Sequence, residues 1–448
     1  MGALTPAHSA ALAALIDRCP DAVLLRLMRL VPQLGGDKAV ELTRMMEGEA
    51  RNRRRRAMAF SPLLPLFMPR ADGVEGLTFP RPVLPRLWAA SIVGSEPLLP
   101  LLDEEDAEAD KVADRLCRTA AGIVRDAPAT IWPAELAPES RDRGLAELAG
   151  CLDLAPLARM GARQLPGWLH AHGGDETALR LLLKDAAAIA PDGAARMIEI
   201  LFAHLADAPE ILKIVTRTSR AAVREEFLEG SELADFVARI VRAVRARTEA
   251  AGAFDPAGGM AAVEATLADL RWSTDALTQL DICLERDAQG EWSREIKAAR
   301  QGLADRIGRW IKTADKAIRA AAPRARARLG ARSSRQAADV DAMVDGAEVE
   351  RARVWAGLLA ALRGPAATFG CEGDRKSCVE SLGTELTDWA DEAIHAVNGG
   401  DSADEEASLT RIGQVADILA ALDEGDAART VRRRLAVAGA EPQTPRVA

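Results

Sequence analysis

Tyrosine is absent from this 448-residue sequence, and phenylalanine and tryptophan together make up only 4% of it. A core must therefore be assembled from Leu, Ala, Val and Ile, within a hydrophobic fraction of 48%. Ala and Leu are the best helix formers, while the aromatic and β-branched strand formers are scarce, so the predicted class is all-α. No stretch reads as a strand. Six cysteines, at positions 19, 117, 151, 283, 371 and 378, are too sparse for a disulfide scaffold in a chain of this size. A reducing compartment is the simpler expectation, and with it a soluble, cytoplasmic protein. The apolar run Ala10, Ala11, Leu12, Ala13, Ala14, Leu15, Ile16 has no Lys or Arg before it and stops at Asp17 and Arg18, so no signal peptide is expected. No run reaches the ~20 apolar residues of a spanning helix. Nor does any glycine-rich stretch follow a strand and end in Lys-Ser or Lys-Thr, which removes the phosphate-loop class.

What is present centres on residues 292–322. At about 100° per residue, Trp292, Ile296, Ala299, Leu303, Ile307, Trp310, Ala314, Ile318 and Ala321 share one stripe of a long amphipathic helix. Arg294, Lys297, Arg309, Lys312, Lys316 and Arg319 lie away from that stripe, and Arg306 lies at its edge. Residues 291–335 hold 13 basic and 4 acidic side chains, a net of plus 9 in a chain of net charge minus 9, so the remainder carries minus 18. This cationic rod, continued by Arg324, Arg326 and Arg328, is the candidate binding surface. A protein partner is the leading expectation; nucleic acid or an anionic membrane surface, met through the same basic side, is the alternative. The acidic run Asp103, Glu104, Glu105, Asp106, Glu108, Asp110 is a candidate internal partner. Trp292 and Trp310, five turns apart at one wheel angle, are expected as core anchors, with insertion into a membrane surface as the competing reading.

Along the chain, residues 1–102 read as short helices opening at Thr5, Asp21 and Asp37, followed by a proline-rich apolar segment. The tract Arg51, Arg53, Arg54, Arg55, Arg56 offers phosphate contacts on one reading and a solvated helix end on the other. From residue 60, eight prolines alternate with Phe60, Leu63, Leu66, Phe67, Phe79, Leu87 and Trp88, a composition that suits burial in a groove between helices better than an exposed docking motif. Residues 103–252 read as an irregular αα-array, with a HEAT-like solenoid as the nearest architecture, its helices opening at Asp103, Asp175, Asp192 and Ser231. After a Pro- and Gly-containing boundary at 253–259, residues 260–438 read as a bundle of long antiparallel helices. Their expected features are a helix from Val340 to Leu362 and capping boxes at Ser377 with Glu380 and at Ser402 with Glu405. Residues 439–448 read as a loose tail.

Chemistry is thinly represented. His170, His172, Asp175 and Glu176, with His204 and Asp207, have the donor types of a divalent metal site but match no ligand spacing, and helix-end roles explain the same residues. Cys371 and Cys378 lack the second pair a zinc site uses. No cofactor is expected. The sequence therefore predicts a non-enzymatic interaction or regulatory protein, a scaffold or adaptor, with an all-helical metal-dependent hydrolase as the rival from another class.

Overall fold

The computed structural model describes residues 5–104, 106–133, 138–170, 176–214, 223–224, 234–285, 290–328 and 334–438. The chain is all-α, 81% helical. Its contacts divide it into two compact units, Met1–Ala221 and Ala222–Ala448.

The first unit begins with α1 (Pro6–Arg18), α2 (Asp21–Leu30) and α3 (Asp37–Ala59). Thr5 caps α1 by accepting from the His8 amide, with Pro6 at the first helical position, as the sequence predicts. These helices enclose a small core of Ile16, Leu24, Val31, Ala39 and Met46. The arginine tract lies inside α3, and two of its five arginines are held by partners. Arg53 donates to the Ile16, Asp17 and Cys19 carbonyls at the end of α1 and pairs with Glu49 and Asp21. Arg55 is held by Asp103. Arg53 and Arg55 thus act as local clamps, while Arg51 and Arg54 remain on the exposed face of the helix.

The proline-rich segment is buried, as expected: Phe60, Leu63, Leu66, Phe67, Val74, Phe79, Leu87 and Trp88 all lie in the core. It contributes α4 (Val83–Ser91) and a 3-10 stretch, Glu96–Asp103, that packs on α5 (Ala107–Asp126). α5 opens at Asp106, which accepts from the Glu108 and Ala109 amides at 3.0 and 2.9 Å, and not at Asp103. Pro97 and Pro100 cannot donate the bonds of a regular α-helix there. After a short α6 (Pro128–Ile131), the unit is completed by α7 (Pro138–Asp153), α8 (Ala155–Leu169), α9 (Glu176–Ile189) and α10 (Gly193–Ala203), with α7 against α5 and α9 and α8 against α10. The expected caps Asp175 and Ser231 lie outside the described residues.

In the second unit a two-residue parallel bridge joins β1 (Val223–Arg224) to β2 (Leu284–Glu285). Helices α11 (Ala234–Ala251) and α12 (Gly259–Cys283) pack on each other, and α11 also meets α13 (Glu291–Ala321). α13 in turn packs on α14 (Gly346–Ala361) and, beyond the short α15 (Arg363–Thr368), on α16 (Glu372–Gly399). α17 (Glu405–Ala421) and α18 (Gly425–Ala438) close against α16. Phe254, in the turn before α12, stands edge-on to Trp310 at 6.1 Å and to Trp355 at 5.0 Å.

Three sequence expectations fail in this unit. β3 (Arg324–Arg328) and β4 (Ser334–Ala338) form an antiparallel hairpin where a connector without strands was expected. The Arg-Ala alternation from 324 to 328 has the period of a strand but uses a poor strand former as its small residue. The helix expected from Val340 starts only at Gly346, where Asp345 accepts from the Ala347 amide at 3.2 Å. Neither serine capping box forms. Ser377 sits one turn inside α16, and Asp404, whose carboxylate accepts from the Ala407 amide at 3.0 Å, opens α17 in place of Ser402.

Candidate functional site

Glu291 to Ala321 form one continuous helix of 31 residues, one residue from the predicted start. Its apolar stripe is consumed by the unit's own core: Ile296, Leu303, Ile307, Trp310, Ile311, Ala314, Ile318 and Ala321 are buried, and Trp292 is half-buried. Trp310, packed on Phe254, is a core anchor, so that stripe is not free to insert into a membrane surface.

The basic residues separate into two groups. Arg300 pairs with Asp281 and donates to the Leu277 carbonyl at 3.1 Å. Arg319 is held by Asp315 at 2.9 Å, by Glu385, and by Ser381 Oγ at 3.3 Å. Arg324 joins Glu392 at 3.0 Å and the Glu385 carbonyl at 3.2 Å, and the same Glu392 carboxylate accepts from the Ala338 amide, so one side chain pins both strands of the hairpin to α16. Arg306 is half-buried beside Gly252, where a Cβ would collide with its guanidinium. Burial, and secondarily Arg309, lowers its pKa. These four cations serve the fold. In contrast Lys297, Arg309, Lys312 and Lys316 are exposed and make no ion pair among the described residues, and Arg294 reaches only the Gly290 carbonyl at 3.3 Å. Arg326 and Arg328 lie on β3, their side chains outside the described part of the structure.

No family model, curated protein or solved structure matches this chain. The functional reading therefore rests on its own side chains.

The acidic run of the first unit does not wait for a basic rod. Asp103 is held by Arg55, Asp106 caps α5, Glu108 pairs with Lys111, and Asp110 takes a two-pronged contact from Arg163 at 2.7 and 2.8 Å. Arg163 beside Asp110, opposed by burial, holds that carboxyl below the usual range. Asp103 and Asp110 are thus neutralised by arginines 48 and 53 residues away in sequence, which no local pattern reveals.

Of the metal candidates, His204 Nε2 meets the Pro62 carbonyl at 2.8 Å and His170 Nδ1 meets the Pro166 carbonyl one turn back, at the end of α8. These are helix-end and packing roles. His172 and Asp175 lie outside the described residues. Among the described residues no three His, Cys, Asp or Glu side chains converge as a metal site. All six cysteines are free thiols. Cys371 contacts the Ala304 carbonyl and Cys378 the Asp315 carboxylate, so the two serve different neighbours. Burial, partly offset by Arg159, pushes the Cys117 thiol up to about 12, and burial raises Cys151 further still. The thiolate is the species that alkylates. Iodoacetamide at about pH 8 should therefore leave Cys117 and Cys151 unmodified in the folded protein and label both in urea, a difference read by peptide mass spectrometry.

The second unit also holds an apolar cavity of about 290 Å³ between α11, α12 and α13, walled by Val241, Val244, Leu277, Leu280 and Ile296. Glu249 at its rim is already paired with Arg245, both well exposed.

Proposed function

We propose that this chain is a non-enzymatic interaction protein that binds an acidic segment of a partner protein through the outward face of α13, centred on Arg309, Lys312 and Lys316. The observation that carries the reading is the division of the cations: Arg300, Arg319 and Arg324 are paired with carboxylates and Arg306 is half-buried, whereas these three stand exposed with no ion pair among the described residues. They fall within eight residues, about 10 Å along the axis. The size of the patch favours a protein segment over nucleic acid, because three cations neutralise about three phosphates and electrostatic affinity for a nucleic acid grows with each phosphate neutralised. Glu291, Glu295 and Asp305 are exposed on the same helix, and the second unit outside residues 291–335 carries 18 basic and 34 acidic residues. A long polyanion would meet that acidic surround, whereas a short acidic segment fits between its members.

The test compares the full chain with the Arg309→Glu, Lys312→Glu, Lys316→Glu variant for binding to a labelled Glu-rich peptide, duplex DNA and phosphatidylserine vesicles across a salt series. Exposed ion pairs contribute about 0.2–1 kcal/mol each, so losing three and adding repulsion should weaken peptide binding about tenfold or more. Wild-type binding should itself fall as salt shortens the screening length. Tighter binding to DNA or to vesicles than to the peptide, lost in the same variant, replaces this reading with an anion-surface one.

A further inference from the structure

We infer that a small cavity in the second unit, between the start of α16 and the turn joining α17 to α18, is a binding site for a free basic α-amino acid such as lysine. The cavity holds about 290 Å³, at the lower end of the range for ligand clefts, so it suits a single small molecule. Three cations and four carboxylates line it, around an apolar floor of Ala360, Val379 and Leu422. None of the three α13 cations borders it, so the inference does not rest on that surface.

The charges that remain after internal pairing define the ligand. Arg375, only 8% exposed, is held by both oxygens of Glu372 at 2.7 Å and donates to the Leu359 carbonyl at 3.2 Å, so it serves the fold. Lys376 faces Glu380 at 3.8 Å. Arg363, Asp423 and Glu424 border the same cavity and make no ion pair among the described residues. One cation and two carboxylates are thus left over. Their complement is a molecule with one carboxylate and two cationic groups, joined by methylenes that cover the apolar floor. A basic α-amino acid has that composition. Arg363 takes its carboxylate, the anion that a guanidinium fork fits, and Asp423 and Glu424 take its two cationic groups.

The backbone sets these two carboxylates in place. Asp423 is the one non-glycine residue with a positive φ, 69°, among the described residues. It lies just past the end of α17, where the Asp423 and Glu424 amides bond back to the Ala420 and Leu419 carbonyls at 3.2 and 3.0 Å. Glycine is the usual occupant of that position, because the Cβ of an L residue crowds the backbone there. For the turn alone, glycine would serve better than aspartate. Glu424 is half-buried against α16, where Gly383 leaves room for its stem: a Cβ at Gly383 would lie 3.3 Å from Glu424 Cγ.

Calorimetric titration of the full chain with lysine, norleucine and cadaverine separates the poles, since norleucine lacks the ε-ammonium and cadaverine the carboxylate on otherwise matching chains. Lysine should bind once per chain with a Kd of about 1 mM or tighter, and each analogue at least about threefold more weakly. Arg363→Gln should weaken binding of lysine but not of cadaverine. Asp423→Gly should also weaken lysine at least about threefold, yet leave the melting temperature unchanged or raised, a combination that a merely structural aspartate would not give. A weaker Kd for lysine, equal affinity for all three compounds, or an Asp423→Gly chain that melts lower and binds lysine as before would each overturn the assignment.

Discussion

Replacing Asp72 with alanine should lower the unfolding free energy of the first unit by about 3–5 kcal/mol, the range seen when one partner of a buried ion pair is removed. Asp72 and Arg70 have side chains only 4% and 5% exposed. One carboxylate oxygen accepts from Arg70 Nε at 3.0 Å and from the Val74 amide at 3.1 Å; the other accepts from Arg70 Nη2 and from the Ala208 amide, both at 2.6 Å. Arg70 also donates to the Phe202 carbonyl and lies 4.2 Å over the Phe202 ring. This pair fastens the proline-rich segment to the end of α10, aided by Glu199, which accepts from the Leu77 amide at 3.2 Å. Without Asp72, the buried Arg70 guanidinium keeps only the Phe202 carbonyl and loses its counter-ion, and the Val74 and Ala208 N–H groups lose their carboxylate acceptor. Urea midpoints would give the loss, and amide exchange at Val74 and Ala208 should rise before the rest of the unit opens. The double change Arg70→Met with Asp72→Leu should cost less than Asp72→Ala alone, because it removes the stranded charge along with its partner.

Helix content and the course of the long basic helix were legible in the sequence because periodicity is a local property. The stripe from Ile296 to Ala321 is largely buried as its spacing predicts, and most large apolar residues among the prolines of 60–102 are covered, with Met68, Val93 and Leu101 the exposed exceptions. What decides the candidate site is not local. Arg324 looks like Arg326 and Arg328 in sequence, and it is Glu392, arriving from α16, that engages it; Arg319 has a local partner in Asp315, but Glu385 from α16 joins it only in the fold. The tract from Arg51 to Arg56 hides its role for the same reason, since the carbonyls that Arg53 binds lie more than 30 residues away. Caps were misplaced where two acceptors competed within a few residues, Asp404 for Ser402 and Asp106 for Asp103, and the neighbouring backbone chose between them.

Arg159→Ala should be comparably damaging, for a reason rooted in how α3 ends. The last carbonyls of any helix have no partner within it. At the end of α3 those of Met58 and Ala59 are met by Arg159 from α8, at 3.2 and 3.0 Å, while Ser61 Oγ accepts from it at 2.7 Å and Asp114 Oδ1 at 3.3 Å. The residue is 4% exposed. One planar fork therefore closes a helix end, fixes the following turn and neutralises α5, work that a single ammonium cannot divide among four acceptors in three directions. Truncation leaves the Ala59 carbonyl with only the Cys117 thiol and the Met58 carbonyl with only local backbone donors, strips Asp114 of its counter-ion and opens a cavity, and a loss of about 3–5 kcal/mol is expected in urea denaturation. Arg159→Lys should recover less than half of it. A geometric role also predicts where the damage appears: amide exchange should accelerate in the last turn of α3 and at Leu63 and Leu64, whose N–H groups bond back to the Phe60 carbonyl, while α9 stays protected. Equal acceleration throughout the unit would mean that Arg159 contributes bulk and charge only, and that the end of α3 is held by its packing on α5.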